Sequence, residues 1–179
     1  MNVHSNWGGI LDADEEILWQ GRPDGALSLK PENIPLALFG LVFAGFALFW
    51  MIMAASAGGL FWSFGLIHFS VGIAMIIGPS FWSAFRRRHS WYTLTNARAF
   101  IATDMPGFGR RLKSYPITGG AKLEFIDDNP PSLIFATQTR QGKNRPYQVA
   151  IGFERIMEAR EVYKMMRDIQ TGDKETNLS

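Results

Sequence analysis

The chain has 179 residues, of which 18 are Lys or Arg, 16 are Asp or Glu, 3 are His and none is Cys. The lack of cysteine excludes a disulfide scaffold, a Cys-ligated zinc or iron–sulfur site and thiol catalysis. Residues 33–85 contain no Asp, Glu, Lys or Arg. An uncharged and mostly apolar stretch of this length exceeds any buried core helix, so a single soluble domain is excluded and a membrane protein with a modest soluble part remains.

The N-terminal segment, residues 1–33, is acidic, since its charged side chains are six carboxylates and two bases. Because it is neither basic nor long and apolar at its start, it does not resemble a secretory signal. We expect it to be cytoplasmic and to pack near the C-terminal domain, with Trp19 in the contact.

The uncharged stretch divides at Gly58-Gly59 into two candidate spans, residues 34–57 and 60–85. At about 1.5 Å per residue, each span is longer than the ~30 Å hydrocarbon core of a bilayer. The short glycine turn makes the two helices antiparallel neighbours. The sequence therefore predicts a transmembrane hairpin over residues 34–85.

A run of three arginines directly after the second span predicts its orientation. Basic residues beside a span favour the cytoplasmic side, and a hairpin places both of its flanks on one side. We therefore expect both termini to be cytoplasmic. Tryptophans flank the outer turn and the inner end, where Trp91 follows the arginines. The predicted membrane-interface anchors are Arg86, Arg87, Arg88, Trp50, Trp62 and Trp82.

Two features inside the hairpin have alternative interpretations. His68 is its only ionisable side chain. It is either a neutral imidazole bonded between helices or a ligand for a proton, quinone or haem. The small-residue pairs Gly40 with Ala44 and Ala74 with Gly78 let backbones approach closely. They serve either the contact within the hairpin or a helix of a partner.

Residues 86–172 are expected to form a small domain made mainly of strands. Alternation, β-branched residues and turn signals predict strands over residues 91–95, 98–103, 111–117, 121–126, 133–139 and 147–152. From Phe153 the apolar positions take helical spacing, and Gly172 ends that pattern. Residues 173–179 are expected to be a disordered tail. This order predicts a small curved sheet or open barrel that the helix caps.

Two motifs carry a resemblance to a known family. The first, Glu15, Leu18, Trp19, Gly21 and Pro23, has the spacing E-x-x-L-W-x-G-x-P. The second, Tyr92, Leu94, Thr95, Asn96 and Arg98, has the spacing Y-x-L-T-N-x-R. With a hydrophobic hairpin between them, they resemble the bacterial membrane-flanked PH-like domain family. The resemblance implies an α+β protein of the bacterial inner membrane, in which a transmembrane hairpin carries a PH-like, mainly antiparallel β barrel with a C-terminal helix.

The resemblance implies no catalytic residue, and the sequence itself contains no G-x-S-x-G, G-x-G-x-x-G or Walker motif. We therefore expect no enzyme activity, no cofactor and no metal site. The connection Asn96-Ala97 is too short and uncharged to act as the basic inositol-phosphate loop of eukaryotic PH domains. Nucleic acid is not expected as a ligand, since aromatic and basic residues do not interleave.

The expected function is the binding of a protein or peptide partner, since an open barrel leaves a sheet edge that accepts a further strand. Loop 105–109 adds two apolar side chains, and basic residues lie beside it and on a second loop. The candidate contact residues are Met105, Phe108, Arg110, Arg111, Lys113, Arg140, Lys143 and Arg145. One alternative is an anionic-lipid sensor that uses these bases. The other is an accessory subunit bound to a larger membrane complex through the hairpin.

Overall fold

The computed structural model describes residues 7–143 and 145–176, and of residues 173–176 it describes the backbone alone. The chain forms two compact units. Residues up to 24 and from 86 onward form one, the sheet unit, and residues 25–85 form the other, the helical unit. Part of the predicted tail, residues 177–179, lies outside the described residues.

The helical unit contains two long helices, as the sequence predicts. Helix α1 runs over Ile34–Ser56 and α2 over Phe64–Arg88, each preceded by one turn of 3-10 helix, Pro31–Asn33 and Phe61–Ser63. Gly58 and Gly59 form the turn with φ of +81° and +80°, a conformation that glycine adopts without strain. Both helices are long and apolar enough to cross a membrane.

The two helices cross closely at small residues. A Cβ added to Gly72 would lie 2.7 Å from the Cβ of Ala44, and one added to Gly40 would lie 2.7 Å from the carbonyl oxygen of Gly72. Gly40 and Ala44 therefore serve the contact within the hairpin. The second helix contributes Gly72 rather than the predicted pair: Ala74 is exposed, and a Cβ at Gly78 would meet nothing within 4 Å.

The sheet unit contains two antiparallel sheets and a C-terminal helix. The first sheet has the order β1-β2-β3-β4 and the second β5-β6-β7. The elements are β1 Ile17–Gly21, β2 Ser90–Thr95, β3 Arg98–Met105, β4 Gly109–Pro116, β5 Glu124–Ile126, β6 Ser132–Gln141, β7 Pro146–Phe153 and α3 Ala159–Thr176. The predicted α+β class is confirmed. No strand pairing joins the two sheets into a closed barrel within the described part of the chain.

One strand was not predicted from the sequence. β1, from the acidic N-terminal segment, pairs antiparallel with β2, so that Trp19 lies opposite Leu94 and Gly21 opposite Tyr92. The N-terminal segment therefore extends the first sheet at its edge. The predicted strand over 121–126 shortens to β5, because residues 118–121 form a turn closed by the bond from the Ala121 N–H to the Thr118 carbonyl.

The core of the sheet unit lies between both sheets and α3. Leu94, Leu133, Phe135, Val162 and Met166 are among its fully buried side chains. The apolar stripe predicted on the C-terminal helix thus faces the core at Val162 and Met166.

The predicted start and end of that helix were wrong. Phe153 ends β7, where strand alternation buries it, and α3 begins at Ala159. Arg155 between them has φ of +50°, which interrupts regular structure and leaves Met157 exposed. The helix continues beyond Gly172 to Thr176, because a glycine lowers helix stability without ending the helix by itself.

Candidate binding surface on the first sheet

The N-terminal segment is bonded to the β2–β3 hairpin by a network around Glu15. The Glu15 carboxylate accepts hydrogen bonds from the Thr95 hydroxyl at 2.6 Å and from the Arg98 guanidinium, whose second contact is with Asp12 at 3.0 Å. Asn96 donates its side-chain amide to the carbonyl of Asp14 at 2.9 Å. These contacts hold residues 12–16 against the end of the first sheet.

Glu15 is ionised within this network. Its side chain is only 2% exposed, so burial alone would raise its pKa. The hydrogen bond from Arg98 lowers the pKa by more than burial raises it, and the hydrogen bond from Thr95 lowers it further. The pKa of Glu15 therefore falls from 4.5 to about 2. The pKa of Arg98 is raised, mainly by the same bond.

The other motif residues meet on the inner face of the same sheet. The Trp19 indole lies over Gly21, where an added Cβ would be 2.2 Å from the ring, and its centroid is 5.5 Å from that of Phe153. Tyr92 stacks on Phe153 at 4.7 Å, and its hydroxyl accepts a bond from the Glu154 N–H at 3.3 Å. Burial raises the pKa of Tyr92, which keeps the phenol neutral. The two motifs therefore join the N-terminal segment to the domain.

The outer face of the first sheet carries an apolar groove. Its cavity volume is about 490 Å³. One row of paired strand positions forms its floor: Trp91 lies opposite Ala102, which lies opposite Leu112. The Arg22 guanidinium stacks 4.4 Å above the Trp91 ring. The remaining lining residues are Trp7, Ile10, Gln20, Gly21, Tyr92 and Thr93.

Strand β4 is the edge of this sheet, and the groove reaches it at Leu112. Within the described residues, no strand pairs with the outer side of β4. Seven of its eight residues are exposed. An unpaired edge presents backbone N–H and C=O groups that a further strand can bond. The β4 edge, the groove and the β3–β4 turn together form the candidate binding surface.

The structure places the predicted apolar pair at the β3–β4 turn. Met105 ends β3 and is half-buried, whereas Phe108 is 59% exposed at the tip. Gly107 and Gly109 take φ of +79° and +76° on either side of Phe108, so glycine conformations build the turn that presents the ring.

The predicted basic residues lie on two different sheets: three are on β4 of the first sheet, and the other three are on β6 or in the β6–β7 turn of the second. Arg110, Arg111 and Lys113 lie on β4, and Arg110 is paired with Asp104 at 2.9 Å. Arg140 is at the end of β6, where its charge lowers the pKa of Tyr115 against the larger raising effect of burial. The structure therefore brings the β4 bases together on one edge.

The second group lies on a different feature of the sheet unit. Lys143 and Arg145 are exposed beside the β6–β7 turn. They join β6 to β7 in the second sheet, whereas the bases of β4 lie on a strand of the first sheet.

The three arginines in the last turn of α2 belong to the sheet unit, and two of them have specific contacts there. Arg86 pairs with Glu154 at 3.1 Å, and Arg88 is exposed. Arg87 is 2% exposed, and its Nε donates to the carbonyl oxygen of Asp24 at 2.8 Å. Arg87 therefore stabilises the sheet unit at the residue where the chain leaves it.

Asp24 is also bonded to the β7–α3 connection. The Arg155 guanidinium reaches the Asp24 carboxylate at 2.7 Å, and the Asp24 N–H donates to the Arg155 carbonyl at 2.8 Å. Arg155 N–H donates in turn to the Ser132 hydroxyl at 3.0 Å. This double contact accounts for a non-glycine residue held at positive φ.

The helical unit has a smaller pocket of about 210 Å³ beside His68. The Nδ1 atom of His68 lies 3.3 Å from the carbonyl oxygen of Phe64 in its own helix, so the predicted bond between helices is replaced by a bond within one. The remaining lining residues are apolar or aromatic: Phe43, Phe46, Ala47, Trp50 and Gly65. His68 is therefore the one ionisable side chain among the residues that line this pocket.

The predicted tryptophan anchors of the helical unit pack against neighbouring rings or lie near the turn. Trp50 lies 5.4 Å from Phe61, and Trp82 stacks on Phe85 at 5.9 Å between centroids. Trp62 is half-buried in the 3-10 turn before α2. Trp91, in contrast, is in β2 and lines the groove.

The sequence interpretation missed the groove residues Trp7, Ile10, Arg22 and Trp91. Of these four, only Arg22 lies within the first motif, at a position that the motif leaves unspecified. Among the described residues, no group of three or more His, Asp or Glu side chains is placed to hold a metal ion. No protein-family model, curated protein or solved structure matches the chain.

Proposed function

We propose that this chain is a non-enzymatic protein of a bacterial inner membrane, in which the helical unit is a transmembrane hairpin and the sheet unit is a cytoplasmic PH-like module that binds a protein partner. The observation that carries this proposal is the candidate binding surface, where an unpaired strand edge adjoins an apolar groove. Strand addition at such an edge is a common mode of peptide recognition, and the groove supplies side-chain contacts.

Membrane anchoring is supported by the two long apolar helices and by the uncharged stretch. The cytoplasmic placement of the sheet unit is supported by the three arginines in the last turn of α2. Membership of the membrane-flanked PH-like family is supported by the two motifs, whose residues Glu15, Thr95 and Arg98 contact one another.

Reporter fusions at both ends of the full-length chain test the topology. Cytoplasmic signals at both ends are expected. A periplasmic signal at either end would refute the arrangement.

Binding is tested by replacing Met105 and Phe108 with serine in the full-length protein. Partners recovered by purification in mild detergent would be identified by mass spectrometry. Loss of a partner with unchanged folding supports protein binding. Tyr147→Ser is the matched control, because Tyr147 is also an exposed aromatic residue but lies on β7.

A second candidate function is the sensing of anionic lipid, which is favoured by the exposed bases Arg111 and Lys113. Loss of binding to anionic liposomes with partners retained would favour it. If neither property changes in the serine variants, the turn is not the site, and the hairpin becomes the element that binds a larger membrane complex.

A further inference from the structure

The side chains of β4 differ between the two faces of its edge. Successive residues of a strand point to opposite faces of the sheet, so Arg111 and Lys113 share one face and Leu112 takes the other. Leu112 is 43% exposed and borders the groove. The edge is therefore basic on one face and apolar on the other.

The ion pairs near this edge increase the difference in charge between its two faces. Arg110 is on the groove side with Leu112, and Asp104 pairs with it at 2.9 Å. Within the described part of the chain, neither Arg111 nor Lys113 is in an ion pair, and both are exposed. The uncompensated positive charge of the edge is thus confined to the face opposite the groove.

We propose that β4 binds an extended protein segment in which acidic residues alternate with apolar residues. Directly opposite side chains of paired strands lie about 4.5–5.5 Å apart, and opposite charges in these places attract. Two acidic residues spaced two apart would face Arg111 and Lys113. The apolar residue between them would then lie beside Leu112 at the groove. This inference rests on the proposed protein-binding function and names its partner.

Charge also selects against a second copy of the same strand. If two β4 strands paired antiparallel with Leu112 opposite Leu112, Arg111 of each would face Lys113 of the other. Like charges directly opposite each other destabilise a strand pair. Among the described residues, β7 is the other eight-residue strand at the edge of a sheet, and it carries no charged residue that could repel a second copy.

The test measures binding of a labelled peptide to the full-length protein. The protein is placed in nanodiscs of phosphatidylcholine, and a fluorescent peptide that alternates Glu and Val is titrated by anisotropy. A peptide of the same composition with all Glu before all Val is the control ligand. The alternating peptide should bind at least about tenfold more tightly, because only it places charge and apolar side chains on separate faces.

Variants then locate the site. Arg111→Glu with Lys113→Glu should weaken the alternating peptide about tenfold or more, since two favourable cross-strand pairs become repulsive. Lys143→Glu with Arg145→Glu makes the same change in net charge at the β6–β7 turn and should alter binding less than twofold. Leu112→Ser should weaken binding without any change in charge.

Two results would overturn the inference: equal binding of both peptides, or equal weakening by both charge-reversal pairs. A photo-crosslinker at position 112 distinguishes failure of the inferred partner chemistry from failure of the proposed protein-binding function. A protein adduct there, together with no binding of the alternating peptide, refutes the partner chemistry alone. If neither a protein adduct nor binding of the alternating peptide is observed, protein binding at this edge is refuted.

Discussion

Replacing Glu15 with glutamine should destabilise the contact between the N-terminal segment and the first sheet. The pKa of Glu15 falls from 4.5 to about 2 because Arg98 and Thr95 donate to its carboxylate. A shift of this size corresponds to at most about 3 kcal/mol of stability at neutral pH, and solvent screening of the partly exposed Arg98 lowers that figure. This figure is an upper value, since glutamine retains one acceptor for the Thr95 hydroxyl.

The pH dependence follows from the direction of that shift. The pKa of Glu15 is lower in the folded state than in the unfolded state, so its contribution is fully present above pH 4.5 and is lost as pH falls toward 2. The wild type should therefore lose more stability than the glutamine variant over this interval.

Hydrogen exchange of the β1 and β2 amides in the full-length protein measures the local effect at neutral pH, and urea unfolding measures the pH dependence. Glu16→Gln is the matched control, because Glu16 is exposed and joins Asn96 through its backbone groups. A loss within about 0.5 kcal/mol, the usual range for surface substitutions, together with an unchanged pH profile, would refute the role assigned to this carboxylate.

Three further substitutions test the packing. Met166→Asp should cost more than about 3 kcal/mol in urea unfolding, since it buries an unpaired charge, whereas Lys164→Asp on the exposed side of α3 should not. Gly21→Ala should cost about 1–3 kcal/mol and shift the near-ultraviolet circular dichroism of tryptophan, because its Cβ would collide with an indole; an unchanged spectrum contradicts this. Gly72→Val should lower thermal stability in micelles by separating the helices, whereas Gly78→Val should not; equal effects would refute the observed crossing.

The helices and most strands could be predicted from the sequence because their signals are local. The uncharged stretch, the glycine turn and the two-residue connection at Asn96 each act within a few residues. β1 was missed because its pairing with β2 spans the whole hairpin, and register over such a separation leaves no local pattern. The start of α3 was misplaced because Phe153 and Ile156 fit helical spacing but belong to a strand and a connection.

The groove was missed for a related reason. Trp91 was predicted at the start of a strand, beside the inner end of the hairpin, but the sequence does not indicate that β2 places its indole beneath Arg22. Arg87 was assigned to the membrane interface, yet it is buried beside Asp24. Both contacts come from residues more than 60 positions away, which sequence neighbours do not indicate.

Site-specific photo-crosslinking in living bacterial cells tests the central claim most directly. A photoreactive amino acid would replace Leu112 on the β4 edge of the full-length protein, and Gln148 on the β7 edge would serve as the control position. The proposed function predicts a discrete protein adduct from position 112 that is absent from position 148, and the acidic partner inferred for β4 predicts that the adduct is lost when Arg111 and Lys113 are changed to glutamate. Equal adducts from both positions, or no protein adduct from position 112, would contradict it.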